Sequence, residues 1–461
     1  MKPPFDIAGD LDTPVSAFAK LAAFEPRFLL ESVEGGERLG RYSFIGFGDG
    51  LEVRLDERGF QVGDEQRARP SSQRELLDGL RAALLRAPLP LPAIGQVPLA
   101  GGLVGYTGYD VVRFFESLPS LARPLPGVPL LHYVAPKSLL VFDHVSRGIA
   151  LLHAGSDSER ASLRREVIAA LRGAIPRAAS SGRFATPNAA LDRAAYIERV
   201  GRVQEYIAAG DVYQLVLSAR FSGRHELDPF QVYRALRLIN PSPYMYFCRL
   251  GGLTVVGSSP EALVKLEGGR AQLRPIAGTR PRHAEPARDS QLEAELLADA
   301  KENAEHVMLV DLARNDLGRV ARAGSVRVDP FRAIERYSHV MHIVSGVQGE
   351  LAPQRDAFDL FAASFPAGTL VGAPKVRAMQ IIEQLEPVRR GLYGGTIGYF
   401  GAGGAMDQAI TIRTLVFHGD EYSYQAGAGI VADSQPSAEH DEVLAKSGAM
   451  IGALTLAEQG L

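Results

Sequence analysis

The chain has one cysteine, Cys248, in 461 residues, so it forms no internal disulfide and builds no cysteine-based zinc site, as suits a reducing cytoplasm. It has no surplus of either charge: 50 lysines and arginines stand against 53 aspartates and glutamates, a formal net charge of −3. Without long basic runs, it lacks the electrostatic footprint of a nucleic-acid or anionic-membrane binder. No uncharged apolar run reaches the length of a membrane span, and residues 1–6 lack the apolar core of a signal peptide. Together these absences predict a cytosolic protein.

What is present is hydrophobic residues at 46%, ample for one large core or for two to three ordinary domains. Alternation at Leu51, Val53 and Leu55 before the turn Asp56-Glu57-Arg58-Gly59 predicts a hairpin. A second is expected from residues 139–142 and 149–152 around Ser146-Arg147-Gly148. Helical periodicity over 157–176 gives way to an Ala-, Ser- and Pro-rich stretch at 178–190 with linker character. The expected organisation is an amino-terminal region 1–155, a helix and linker over 156–190, and a region 191–461. Within the last, the pattern predicts a helix over 192–209, short strands over 245–275, one long helix over 290–317, strands over 392–428 and a closing helix from Ser437. Tight turns between successive strands require antiparallel pairing, because parallel neighbours need a crossover. The fold class is α+β.

Two acidic pairs with three-residue spacing, Glu302 with Glu305 and Glu439 with Glu442, each put both carboxylates on one face of an expected helix. If the faces converge, like charges about 4 Å apart repel by roughly 4 kcal/mol at an effective dielectric near 20. A divalent cation then becomes necessary, and an all-oxygen ligand set favours magnesium. The other reading of such pairs is a solvated helix face, and Lys446 is spaced to pair with Glu442. Before the second pair comes Ala426-Gly427-Ala428-Gly429, where glycine either lets a ligand approach backbone amides or permits close strand packing.

K-E-N-A-E-H from Lys301 and A-G-A-G-I-V-A-D-S-Q-P-S-A-E-H-D-E from Ala426 closely resemble the chorismate-utilising enzymes, the family of anthranilate, aminodeoxychorismate, isochorismate and salicylate synthases. So do D-V-Y-Q-L-V-L-S from Asp211, G-S-S-P-E from Gly257, R-P-I-A-G-T-R from Arg274, V-M-H-I-V-S from Val340 and P-A-G-T-L-V-G-A-P-K from Pro366. Several blocks in order over the carboxyl-terminal two-thirds make coincidence implausible where a single one is weak. The resemblance implies a large antiparallel β-sandwich with outer helices and the site between the sheets. It makes Glu302, Glu305, Glu439 and Glu442 the magnesium shell, with the metal holding the ring carboxylate of chorismate. It makes Glu261 the acid that protonates the departing 4-hydroxyl. His342 takes the place of the family's site histidine, either removing the proton from carbon 2 or polarising the ring carboxylate. The enolpyruvyl carboxylate needs donors away from the metal, and Arg413 offers a bidentate fork. Tyr393, Thr369, Lys446 and the amides of Gly427 and Gly429 match the other contacts, with Ala277, Gly278 and Thr279 beside them.

The family divides by nucleophile. Members that add water carry a lysine base just before the V-x-L-S strand, where this chain has Gln214, and a neutral amide takes no proton from water. Members that make 4-amino products carry a nucleophilic lysine inside P-I-x-G-T, where this chain has Ala277. The resemblance therefore implies direct addition of ammonia at carbon 2 and formation of anthranilate and pyruvate, as in tryptophan biosynthesis. Two departures, His283 and Val371, fall at loop and enolpyruvyl-side positions and leave the acidic pairs untouched.

The run L-L-E-S-V-E-G-G-E-R-L-G-R-Y-S-F-I-G from Leu29 and N-P-S-P-Y-M-Y-F from Asn240 resemble the tryptophan feedback site of anthranilate-forming members. Glu31 and Ser32 are expected to bind the inhibitor's amino group, Pro241, Tyr244 and Met245 to flank its indole, and Ile397 and Tyr399 to complete the pocket. Cys248, in a strand-like run, does not fit a glutamine-hydrolysing nucleophile. Ammonia is thus expected from a separate glutamine amidotransferase subunit, in a heterotetramer of two large and two small chains. The alternatives are an enzyme that stops at 2-amino-2-deoxyisochorismate, a 4-amino-4-deoxychorismate synthase, and a catalytically silent tryptophan-binding regulator.

Overall fold

The computed structural model describes residues 4–32, 40–95, 97–176, 182–336 and 340–461. Among these, two large sheets of twelve and eleven strands and a small one of three carry the architecture, and every strand pair used below is antiparallel. Phe28, Tyr246 and Val255 of the larger sheet pack with Val104, Tyr106, Ile397 and Tyr399 of the smaller in one buried cluster, which makes the pair a sandwich. Alternate residues of the same strands, such as Leu29 and Phe247, face a second cluster that includes helix residues. Both faces of the larger sheet are therefore buried, which accounts for near-continuous apolar runs such as M-Y-F-C where a half-exposed strand would alternate. Each fully buried large side chain contributes about 1.5–3 kcal/mol.

The expected hairpins form, pairing Leu51–Asp56 with Gly59–Val62 and Ser138–Asp143 with Gly148–His153. Boundary expectations fare differently. The strand Phe28–Glu31 pairs with Tyr244–Leu250, and Gly102–Thr107 pairs with Thr396–Gly401, so strands from both sides of the 156–190 segment interleave in each large sheet. Residues 1–155 have no sheet of their own. Part of the expected linker, 177–181, lies outside the described residues, and its remainder includes a short strand, Asn188–Ala189, on the sheet edge. The single helix expected over 290–317 is two, Pro286–Ala298 and Ala300–Gly318, because the Asp299 side chain accepts from the amides of Lys301 and Glu302 and so caps a new start.

Candidate active site and a second cavity

The chain crosses between the large sheets at two adjacent corners, and each corner carries a candidate residue. Strand Leu253–Ser259 belongs to the larger sheet and Ala262–Glu267 to the smaller, with Pro260 and Glu261 between them. Strands Met406–Ile410 and Thr414–His418 cross back, with Arg413 at the bend. The amide of Ile410 donates to the Glu261 carbonyl at 2.9 Å, which ties the corners together. Arg413 has left-handed backbone, φ 49°, a strained conformation for a non-glycine residue that the two sheets hold in place.

Beside these corners opens a cavity of about 770 Å³, lined by Gln214, Glu261, Gly278, Thr279, Thr369, Tyr393, Arg413, Gly427, Gly429 and Lys446 and by all four acids of the paired motifs. Residues scattered over two hundred positions of sequence are thus brought to one wall. Glu302 and Glu439 stand in the first turns of the helices Ala300–Gly318 and Pro436–Gln459, where the helix dipole favours an anion. Gly427 lies where a Cβ would come within 2.7 Å of the Tyr393 hydroxyl, and a Cβ on Gly429 would come within 2.8 Å of the Gln214 amide nitrogen. The glycine run therefore serves close approach of functional side chains as well as strand pairing.

Glu261 faces the cavity yet sits deep in the protein, and burial pushes its carboxyl up to about 7 against the opposing effects of the Thr369 hydrogen bond and nearby Arg413. The Thr369 hydroxyl donates to it at 3.0 Å. Burial first, and then repulsion from Glu305, raises Glu302 above the ordinary carboxylate range. Burial likewise raises Glu439, with Glu442 adding to it. The cavity's two lysines are both engaged: Lys446 with Glu442 at 2.7 Å and with the Gly427 carbonyl at 3.1 Å, and Lys301 with Asp433 at 3.4 Å. The Gln214 amide reaches Glu305 at 3.4 Å, and Arg280 reaches Glu302 at 3.5 Å.

The four acids line one cavity but do not converge on a point. Among the described residues no three or more His, Cys, Asp or Glu side chains form a group that could hold a metal ion. Arg280, Gln214 and Lys446 draw Glu302, Glu305 and Glu442 to separate partners. The donor set itself, four carboxylates of which two are destabilised by burial and by like charge, has the chemistry of a hard divalent cation site.

Two expected contacts stand behind the wall. Ala277 is buried, and only its neighbours Gly278 and Thr279 reach the cavity. His342 is not on the cavity wall either. Its Nδ1 donates to the Gly278 carbonyl at 2.9 Å and stands 3.1 Å from the Thr279 hydroxyl, so Nε2 keeps its lone pair. Burial holds this imidazole below its ordinary pKa and therefore neutral. Sequence reasoning passed over Lys301, Gln425 and Asp433, which line the cavity from inside or beside the quoted motifs.

A second cavity, of about 300 Å³, lies between the large sheets and is lined by Glu31, Ser32, Tyr244, Met245, Ile397 and Tyr399. Pro241 does not line it; Pro243, directly before the strand Tyr244–Leu250, does. Glu31 is already bound by the Tyr233 hydroxyl and by Arg237 at 3.2 Å. The Ser32 hydroxyl is buried without a partner among the described residues, and residues 33–39 of the quoted run lie outside them. Sequence reasoning missed Arg41, Lys265 and Asp407 here. Burial pushes Asp407 up to about 6 although Lys265 opposes it and the Tyr244 hydroxyl donates to it at 3.1 Å. The visible signal was a lysine inside the largely apolar strand A-L-V-K-L-E.

The chain is similar to known proteins over nearly its whole length. The family model of chorismate binding enzymes matches residues 25–452. Anthranilate synthase component 1 of Streptomyces coelicolor is 49% identical over 97% of this chain and 88% of its own length. The protein of that name from Thermus thermophilus is 47% identical over 98% and 97%. Among solved structures, anthranilate synthase component I from Streptococcus pneumoniae superposes with a TM-score of 0.81 at 32% identity, covering 96% of this chain and 98% of that one. The menaquinone-specific isochorismate synthase from Escherichia coli shares the fold, with a TM-score of 0.71 at 20% identity. Among the described residues no helix is long and apolar enough to cross a membrane. On the strength of a match over nearly its whole length, the chain belongs to the family of chorismate-binding enzymes.

Proposed function

We propose that this chain is the chorismate-converting component of an anthranilate synthase, which adds ammonia at carbon 2 of chorismate, expels the 4-hydroxyl as water and then releases pyruvate to leave an aromatic ring. The observation that carries the reading is Glu261, a carboxyl pushed up to about 7 on the wall of a cavity whose lysines are both committed to acids. A carboxyl half protonated near neutral pH can donate to a poor leaving group, typically accelerating the step by about two to four powers of ten. Gln214 offers no base for water and Ala277 no amine, so the nucleophile comes from outside the chain. Chorismate is a dianion, and Arg413 with the neutral Tyr393 phenol supplies donors for the carboxylate remote from the acids. His342, one layer back, orients Gly278 and Thr279.

Glu302, Glu305, Glu439 and Glu442 would hold magnesium, which when bound supplies positive charge for the ring carboxylate. The relatives' designation as component 1 supports a partner subunit, which we take to be a glutamine amidotransferase in a cytoplasmic two-plus-two assembly. Cys248 supports a separate ammonia source, because it is buried and burial raises its thiol far above the reactive range. The second cavity takes tryptophan as feedback inhibitor, with the Ser32 hydroxyl, which has no partner among the described residues, as one contact.

The test is direct. Purified chain with chorismate, magnesium chloride and ammonium chloride at alkaline pH should produce the blue fluorescence of anthranilate, and tryptophan should suppress it. A non-aromatic 2-amino product, or no turnover at high ammonium, overturns the reading.

A further inference from the structure

The reaction cavity is walled by segments far apart in sequence, and one buried side chain joins them. Arg390 is 2% exposed. Its Nε and Nη2 donate to the two carboxylate oxygens of Glu386 at 2.9 and 2.7 Å. Nη1 donates to the Leu370 carbonyl at 2.6 Å and Nη2 to the Val216 carbonyl at 2.8 Å. The guanidinium also lies over the ring of Tyr393, 5.5 Å from its centroid, and over that of Tyr109 at 4.9 Å. Glu386 in turn accepts from the amide and hydroxyl of Ser218 at 3.0 and 2.6 Å, and the Ser218 oxygen accepts from Gln425 at 2.8 Å. Val216, Leu370, Tyr393 and Gln425 line the cavity, whereas Arg390 and Glu386 do not.

A buried ion pair is a poor source of stability, since well-packed apolar residues of similar volume often do as well or better. This one does something apolar residues cannot: it binds two backbone carbonyls and holds an aromatic ring through its face. Leu370 follows Thr369, the donor to Glu261. The Tyr393 ring, held from one side, places its hydroxyl over Gly427. We propose that Arg390, clamped by Glu386, is a positioning residue for chorismate, which sets the Tyr393 phenol and the 369–370 turn before the substrate arrives. The proposal rests on the reading of this cavity as the chorismate site.

Arg390→Lys keeps the charge and removes the planar fork. With magnesium and ammonium chloride, its KM for chorismate should rise about tenfold while kcat falls less than about threefold, the signature of lost binding shared by ground and transition states. Thermal unfolding and tryptophan binding in the second cavity report whether the variant is folded. An unchanged KM with only a smaller active fraction means a purely structural pair and overturns the proposal. If Arg390→Lys does not fold, Glu386→Gln, which keeps the volume and one acceptor, should raise KM about threefold, and an unchanged KM there overturns the proposal equally. Wild-type chain that forms no aromatic product removes the chorismate reading and this proposal together, whereas normal wild-type turnover with an unshifted variant KM removes the proposal alone.

Discussion

The two cavities are built on different plans. The reaction cavity sits where helices and strand ends meet, and its residues come from short contiguous motifs. The second lies inside the sandwich, and strands from both halves of the sequence each contribute two or three residues to it. They differ in electrostatics as well: the first sets Glu261, Asp433 and the four helix carboxylates against Lys301, Lys446 and Arg413, the second sets Arg41 and Lys265 against Glu31, Glu267 and Asp407. On the proposed reading, the surplus of carboxylates in the first would suit a cation, and the near balance in the second would suit a zwitterion. On this view chemistry in one cavity and recognition in the other should be separable by mutation.

The largest separation is expected from Glu261→Gln. Loss of the acid should lower ammonium-dependent turnover by about a thousandfold, read as anthranilate fluorescence, while tryptophan still binds between the sheets. Loss of binding along with turnover would mean that the cavities are one cooperative unit. The same substitution carries a stability signature. Because the native carboxyl titrates near 7, above its ordinary 4.5, the folded state holds the proton more tightly and stability declines as pH rises across that window. Glu261→Gln should therefore raise the unfolding midpoint by about 3 °C at pH 8 and leave it unchanged at pH 4.

A converse effect is expected from Ser32→Phe, which places a large ring where a buried hydroxyl now stands. Tryptophan affinity should fall at least about tenfold. The protein has no tryptophan of its own, so the indole fluorescence of bound ligand can be followed directly. Unaltered affinity would move the effector site elsewhere. The smallest effect is expected from Cys248→Ala, which touches neither cavity. Ammonium-dependent turnover should be unchanged, with a loss of stability of roughly 1–2 kcal/mol in denaturant titration. A loss of turnover would tie the sandwich core to catalysis and blur the comparison.

The same contrast explains what was legible in the sequence. Glu302 with Glu305, and Glu439 with Glu442, could be read because a helix puts residues three apart on one face, so their chemistry is encoded locally. Glu261 followed from its motif, although only the structure shows why its acidity shifts: the sheet crossover at Pro260 buries it. Helix continuity from 290 to 317 was misread because apolar periodicity runs on through Asp299, whose capping geometry lies in its backbone angles. Lys265 and Asp407 were illegible since their function depends on strand register across two sheets, which no local pattern specifies. Pro241 was displaced by Pro243 for a related reason: where a turn hands over to a strand decides which proline faces the interior. His342 and Ala277 were placed one layer too far forward, because a motif marks proximity to a site without distinguishing its wall from the support behind it.

The pairing of Gly102–Thr107 with Thr396–Gly401 has a consequence for how the protein is made. On the ribosome Gly102–Thr107 soon finds Leu131–Ala135 for one edge, but its other edge must wait until Thr396–Gly401 has been synthesised. Such long-range closure is slow and leaves strand edges bare in the meantime. It also denies the chain modularity: cutting it near residue 180 would leave two halves of the same sheets, neither able to fold without the other.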